Sequence, residues 1–371
     1  MAKKVLKGIG IAAAAVVAVV VIYLAYVMLT YYRLDDALPL EQAQPDASVS
    51  LPDAIDIAAS PELTVVTANL GFGAYGPDFD FFMDGGTGSV AESAEAVTAN
   101  INGSAEAIAK EHPDFILFQE VDVDGTRSHH VDEWALLRSD LAGYASAFAQ
   151  NYDSPYLAWP PYAPHGANKA GMVTFSDYQI ADGLRRSLPI SEGMSKFLDL
   201  DRCYTLCRVH TVENGEAGPD LVLFNVHLSA YGADASIMEA QRAMLFEDMQ
   251  RERDAGNYVV VGGDFNHDML GVSNEVYGNQ TATEASWAKP FDFESVPEGF
   301  VIVPKVQLES GVFDSAATCR DAERPYDGTN DRWVMDGFIY SDNVEVVYCQ
   351  TLDLDFAYSD HNPVVLTFSL K

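Results

Sequence analysis

Val259 to Asp268 reads VVVGGDFNHD, an apolar β-branched run that stops on two glycines and then on an acid, an amide and an imidazole. Three consecutive valines suit a strand buried on both faces, and Gly262 and Gly263 let the backbone pass close to another group. Almost the mirror of this pattern closes the chain. Tyr358 to Phe368, YSDHNPVVLTF, sets Asp360 and His361 just ahead of Pro363 and a second valine-rich run. In each case a strand meets polar chemistry at one end, and that junction decides how the rest of the chain is read.

Working outward, similar runs recur: LTVVTANL from Leu63, DFILFQEV from Asp114, GMVTFS from Gly171, DLVLFNVHL from Asp220, DGFIYS from Asp336 and VEVVYC from Val344. All are expected as strands, several of them covered on both faces. Helical patterns lie between them, in AESAEAVTANINGSAEAIAKEH, VDEWALLRSDL and ASIMEAQRAMLFEDMQRERDAG, where Met238, Leu245 and Met249 share a face and Gly256 is a suitable C-terminal cap. Mixed strands and helices predict a layered α/β or α+β fold with helices covering sheet faces.

Asn69, Glu120, His227 and Asp264 each stand at or just past the end of an apolar strand run. Singly, any of them is an ordinary strand-ending polar residue. Four together, with the Asp360–His361 pair, predict one cleft outside the strand ends. Asn69 and Glu120 are hard oxygen donors with no thiolate among them, a set suited to Mg²⁺, Mn²⁺ or Ca²⁺. Asp264 is placed to orient or deprotonate water, and Asn266, two residues on, to donate to a phosphate oxygen. His361 can carry a proton or neutralise phosphoryl charge, Asp336 is a candidate to fix its tautomer, and His227 would be a second imidazole across the phosphate.

TANL with Asn69, FQEVD with Glu120, NVHLSA with His227, GDFN with Asp264 and Asn266, MDGFIYS with Asp336 and SDHNPV with Asp360 and His361 occur in one order. In that order they resemble the endonuclease/exonuclease/phosphatase superfamily, over nearly all of residues 61–371. The resemblance implies a four-layered α/β sandwich, two packed mixed sheets flanked by helices, with a divalent cation at the cleft. It implies Glu120 as the principal metal ligand, with Asn69 nearby and Asp360 as a further ligand. Asp264 would position the attacking water, Asn266 and His227 would contact the scissile phosphate, and Asp336 with His361 would give acid-base or electrostatic help. The segment EVDVDGTRSHHVDE looks like the stretch after the catalytic glutamate in sphingomyelinase-like members, which makes Arg127 a phosphate contact. GANKAGMVTFSDYQI departs from the family's usual turn in carrying Gln179 where proline is expected, a change that touches a turn and not the chemistry.

Gly8 to Thr30 is uncharged and long enough, at 1.5 Å per residue, to cross a hydrocarbon core of about 30 Å. Lys3, Lys4 and Lys7 precede it, so residues 1–7 are expected in the cytosol, 8–30 as a transmembrane signal-anchor, 31–60 as a flexible linker, and 61–371 as the catalytic domain outside the cell. A cleaved signal peptide is the alternative. Residues 1–33 hold four of the 22 basic residues and none of the 55 acidic ones, which leaves the rest at a formal −37. That field repels polyanions and offers no basic footprint for nucleic acid, although bound cations reverse the sign locally. Cys203, Cys207, Cys319 and Cys349 permit two disulfides without fixing a pairing. Were RCYTLCRV a strand, Cys203 and Cys207 would lie about 13 Å apart, beyond disulfide reach.

These readings converge on a divalent-metal-dependent phosphoester hydrolase, a phosphodiesterase or phosphatase displayed outside the cell, acting on a lipid head group, an inositol phosphate or nucleic acid. An extracellular nuclease of the same family is the nearest alternative. From another class, the alternative is a membrane-anchored binding protein that has lost turnover. No protein partner is inferable.

Overall fold

The computed structural model describes residues 2–59, 62–197, 200–230, 235–281, 287–314 and 316–371. Every segment quoted above as a strand forms one, and the three helical patterns become helices Ala94–Ala109, Glu133–Asp140 and Ala235–Asp254. Ser93 caps the first of these by accepting from the Ala96 amide at 3.1 Å, and Asp132 caps the second from Ala135 at 2.9 Å. Gly256, two residues past the third, has φ of 91°. A side chain there would be strained, so the expected stop is the one used.

Two sheets carry the fold. The first runs Val344–Thr351, Val364–Leu370, Leu63–Asn69, Phe115–Gly125, Asn168–Ser176, Ala145–Asp153 and Glu41–Ala43. The second runs Leu38–Pro39, Asp182–Ser187, Cys203–Glu213, Leu221–His227, Tyr258–Asp264, Asp336–Ser341 and Phe300–Ile302. Near the centre of each lies a parallel pair, Leu63–Asn69 with Phe115–Gly125 and Leu221–His227 with Tyr258–Asp264. Parallel partners end at the same rim, so Asn69 stands opposite Gln119 and His227 opposite Asp264. Asp336 opens its own antiparallel strand directly across from Asp264.

Alternation along these strands builds the layers. Val66, Ala68, Ile116 and Phe118 pack outward beneath the helix Ala94–Ala109, and Val222, Phe224, Val259 and Val261 pack outward with Leu245 and Met249 of the helix Ala235–Asp254. Val65, Leu117, Leu223, Val260, Phe338 and Leu366 fill the space between the sheets. Helix, sheet, sheet and helix make the four layers of the α/β sandwich.

The inward positions change character toward the rim. Reading every second residue gives Leu63, Val65, Thr67, Asn69; Phe115, Leu117, Gln119; Leu221, Leu223, Asn225, His227; and Tyr258, Val260, Gly262, Asp264. The interior is therefore dry at one end and polar at the other. At the transition Gln119 donates to the Asn225 side chain across the gap at 2.8 Å, and Asn225 donates to the Phe118 and Val173 carbonyls at 3.1 and 3.2 Å. These bonds bridge the two sheets where aliphatic packing gives out, while Gln119 Oε1 is left without a partner among the described residues.

Gly263 shows how tightly that end is closed. Its φ is 149°, and a β-carbon there would lie 2.0 Å from the Val226 carbonyl oxygen of the neighbouring strand. No side-chain rotation relieves a clash with backbone. Gly263→Ala is expected to cost about 3 kcal/mol or more, from strain and overpacking together. Urea unfolding of the two proteins measures it; a difference below about 0.5 kcal/mol would contradict this packing.

One sequence expectation is corrected by the fold. Residues 31–60 are not a free linker: Leu38–Pro39 pairs with Asp182–Ser187, Glu41–Ala43 with Ala145–Asp153, and Ala54–Asp56 with Cys203–Glu213, while Leu40, Leu51 and Ile55 are buried. Short apolar residues inside polar sequence found sheet edges to cover, which no periodicity announces; the boundary expected at Pro61 lies outside the described residues. Ala145–Asp153 and Asp182–Ser187 were not anticipated as strands, because small alanines in one and charged residues in the other hide the pattern. The four cysteines, whose pairing the sequence left open, are all buried and free.

Candidate active site

Glu120 sits where Phe115–Gly125 slips register against Asn168–Ser176, between Phe118 and Val121. The bulge gives it a φ of 53°, a left-handed conformation costing a non-glycine residue roughly 1–2 kcal/mol. That kink swings the carboxylate off the sheet and onto the rim, where it keeps 25% of its side-chain surface exposed. Asn266, with φ of 51°, makes the equivalent turn after Asp264. Strain of this kind persists where neighbours hold it.

Asn69 ties the two halves together. Its amide NH₂ donates to Glu120 Oε1 at 3.3 Å and to Asp264 Oδ2 at 3.1 Å, and its own carbonyl oxygen accepts from Gly71 N at 3.0 Å. As oriented, Asn69 turns a donor toward the carboxylates and holds them. Asp264 also accepts from the Asn266 backbone at 2.8 Å and side chain at 3.3 Å, and Asn266 donates to Leu228 O at 2.9 Å. His227 Nε2 is 3.8 Å from Glu120 Oε1 and 3.7 Å from Asp264 Oδ2, while His361 Nε2 is 4.0 Å from that same Asp264 oxygen. Both imidazoles thus converge on one carboxylate. His361 Nδ1 in turn bonds Asp336 Oδ2 at 2.7 Å.

Asp360 completes the group from the closing loop. Ser359 donates to the Asn69 carbonyl at 2.8 Å, and a β-carbon on Gly71 would come 3.0 Å from Asp360 Oδ1, so this carboxylate lies against the Asn69 loop. Asp264, Asp336 and His361 also offer ligand atoms within 4.8 Å of one another, an acidic and histidine cluster at the same rim.

The charges are uneven. Burial drives the Asp264 carboxyl up to about 7, with Asp336 adding to the rise and His361 and the Asn69 and Asn266 bonds opposing it. Burial also resists charge on His361, but Asp336 beside it outweighs that and holds the imidazole well above its ordinary range. His227 goes the other way: burial, then the cations Arg202, His361 and Arg127, push it well below. One imidazole is charged and the other neutral, in a space a few ångströms wide. Asp360 is raised by burial and by Glu120, against His361 and Arg320.

Arg127 is held by its own neighbours. It is 6% exposed, bonds Asp122 through Nε at 3.1 Å and Nη2 at 2.7 Å, and stacks 4.0 Å over Phe72. The guanidinium is committed to the adjoining Asp122 carboxylate, which is itself fully buried and must be paired. Arg127→Met is expected to destabilise the protein by about 3–5 kcal/mol by orphaning Asp122. Urea unfolding tests this; a rise in KM with stability intact would restore the phosphate-contact reading.

Residues the sequence did not single out also shape the site. Arg202 donates to Leu228 O at 2.7 Å behind His227, and the fully buried Arg320 donates to Gly76 O at 3.3 Å near Asp360. Thr318 accepts from the Asp336 amide at 3.0 Å, and Gln119 and Asn225 brace the rim from within. Lone arginines and threonines carry no spacing signal. Only the polar end of the inward alternation, with Gln119 and Asn225 one and two residues before Glu120 and His227, was there to be noticed.

The Endonuclease/Exonuclease/phosphatase family model matches residues 97–361. Comparison of the sequence with curated proteins returns no match. Among solved structures, an endonuclease/exonuclease/phosphatase from Beutenbergia cavernae is 20% identical, with 84% of this chain and 72% of that chain covered at a TM-score of 0.53. The human Nocturnin catalytic domain with bound sulfate anion is 19% identical, covering 90% of this chain and 98% of that one at 0.52. An endonuclease/exonuclease/phosphatase from Bacteroides vulgatus is 15% identical, covering 84% and 99% at 0.51. At these identities the structural likeness concerns the fold.

Proposed function

The chain belongs to the endonuclease/exonuclease/phosphatase family of metal-dependent phosphoester hydrolases, and from that premise we propose that it hydrolyses a small or lipid-borne phosphoester by in-line attack of water. The observation that carries the proposal is the meeting of four strand ends and one loop around Asp264, with Asn69, His227 and His361 all within 4.0 Å of its Oδ2.

Glu120 and Asp360 are the proposed ligands of a divalent cation. Two hard carboxylates approach one another there with Asn69 steadying the first, a donor set suited to Mg²⁺ or Mn²⁺ and acceptable to Ca²⁺. When bound, such an ion would polarise a phosphoryl oxygen and offset its charge. Asp264 holds the attacking water and takes its proton, a task suited to a carboxyl whose buried environment sets its affinity at about 7. As the water oxygen bonds phosphorus, the P–O bond to the leaving group breaks, and that oxygen leaves as an alcohol by taking a proton from the His361 imidazolium.

His227 is neutral, and its Nδ1 is buried with no partner among the described residues, while Nε2 faces the Glu120 and Asp264 carboxylates, so its proton belongs on Nε2, facing the cleft. There it donates to a phosphoryl oxygen, together with the Asn266 amide. The His361 imidazolium, held through Nδ1 by Asp336, faces the charge that grows on the phosphoryl group or leaving oxygen.

Charge favours a small or lipid phosphate over a long duplex, since nothing in the −37 of residues 34–371 provides counterion-releasing lysine and arginine rows. The apolar helix Ala2–Thr30 is long and apolar enough to span a bilayer, and Lys3, Lys4 and Lys7 at its start favour an N-terminus in the cytosol and a catalytic domain outside. The test is hydrolysis by the full chain, in detergent with Mg²⁺ or Mn²⁺, of bis-p-nitrophenyl phosphate, sphingomyelin, inositol phosphates and single- and double-stranded DNA. Turnover of the small and lipid esters is expected. DNA dominating at physiological salt would make the protein a nuclease, and no turnover of any member would leave a binding protein.

A further inference from the structure

Residues 154–167, SPYLAWPPYAPHGA, contain no Asp, Glu, Lys or Arg in a chain that is 21% charged. The loop they form carries Tyr156, Trp159 and Tyr162 outward at 44%, 68% and 69% exposure, and Trp159 is alone among the four tryptophans in being exposed. Tyr162 donates to Thr87 O at 3.0 Å, which brings the loop beside an exposed Met83 on the neighbouring 77–88 turn. Aromatic groups with a polar end and no formal charge suit the layer where hydrocarbon meets headgroups.

What covers this loop follows from the apolar helix. Along Ala2–Thr30 the residues from Lys3 to Ile22 are exposed, and contact with the domain begins at Tyr23 and Val27, one turn apart. Tyr23 Oη donates to Tyr156 O at 3.1 Å and accepts from Ala158 N at 3.2 Å, and Tyr26 Oη accepts from Tyr156 N at 3.1 Å. Lys7 to Tyr26 spans roughly 30 Å of helix, the thickness of the hydrocarbon core. With Lys7 at one surface, Tyr23 and Tyr26 lie at the other, and the loop bonded to them lies at that level.

The same loop borders the cleft. It joins Asp153 to Asn168, and Asn168 pairs with Gly125 at the end of the strand that carries Glu120. His165, near its end, packs 6.3 Å from the Phe72 ring, and Phe72 follows Gly71, which lies against Asp360.

We infer that the loop 154–163 docks in the interfacial layer of the bilayer that the helix spans, with Trp159 and Tyr162 as its anchors, and so turns the active-site rim toward phosphoesters at headgroup height. This rests on the reading of Ala2–Thr30 as a membrane span and of the cleft as a hydrolase site. The acidic domain gains nothing from anionic lipid, so docking uses aromatic partition and works on zwitterionic membranes.

The full chain, reconstituted into phosphatidylcholine vesicles with part of the lipid brominated high on the acyl chains, tests it by tryptophan fluorescence. Bromine is expected to quench a component that Trp159→Phe removes. A chain that floats with the vesicles but shows no Trp159-dependent quenching overturns the docking and leaves the membrane span standing, whereas a chain that does not float removes both. In the same vesicles, Trp159→Ser with Tyr162→Ser is expected to lower hydrolysis of sphingomyelin at least tenfold relative to the same protein's rate on soluble bis-p-nitrophenyl phosphate. An unchanged ratio, or soluble turnover with no lipid turnover, overturns the headgroup assignment; loss of soluble turnover in the wild type would instead sink the hydrolase reading.

Discussion

Glu120→Ala is expected to lower kcat/KM for bis-p-nitrophenyl phosphate by about 10³-fold or more, because removing the proposed oxygen ligand would forfeit several kcal/mol of charge stabilisation at the phosphoryl group. Stability should hardly move. Glu120 is bonded to the rest of the site through one 3.3 Å contact with Asn69, keeps part of its side chain in solvent, and stands near a second carboxylate in Asp360. Its positive φ supplies an internal control, since Glu120→Gly removes both the carboxylate and the backbone strain. That variant is expected to be as inactive as Glu120→Ala and more stable by up to about 1 kcal/mol. Steady-state kinetics, calorimetric titration with Mg²⁺ or Mn²⁺ and thermal unfolding measure the three quantities. Wild-type rates in Glu120→Ala would remove the proposed cation site.

The second large effect concerns Asp336 and His361, which should behave as a unit. Asp336→Asn keeps the shape but replaces the acceptor that holds His361 Nδ1 at 2.7 Å, so the imidazole loses both its orientation and its proton. A loss of about 10²–10⁴ in kcat is expected, the range for removing a carboxylate that fixes a catalytic histidine. His361→Ala should fall in the same range. Because each residue works through the other, the double variant is expected to be no slower than the worse single one, and additive losses would show that they act separately. Fluorescence or circular dichroism must accompany the kinetics, since Asp336→Asn leaves a buried imidazole without its counter-charge.

Much of this site was legible in the residues. A β-branched run ending in GGDFN or NVH announces a buried strand and a polar rim together, and eight such runs located most of the first sheet and the central strands of the second. The residues that came together, Asn69, Glu120, His227, Asp264, Asn266, Asp336, Asp360 and His361, were those marked by strand ends. An arginine near an acid reads the same whether it faces substrate or a buried carboxylate, and only the structure showed Arg127 paired with Asp122. Residues 38–56 misled because edge strands of two or three residues leave no period to detect.

The sequence by itself determined the layered fold, the apolar leading helix and the types of group that meet at the rim, because alternation and strand-end polarity are local properties of the chain. Tertiary structure alone decided that Asn69 would turn its NH₂ toward Glu120 and Asp264, that His227 and His361 would be driven in opposite directions in proton affinity, and that an uncharged aromatic loop would be bonded to the helix. Each of these depends on desolvation and on charges brought close from distant parts of the chain, and neither exists until the two sheets have closed on one another.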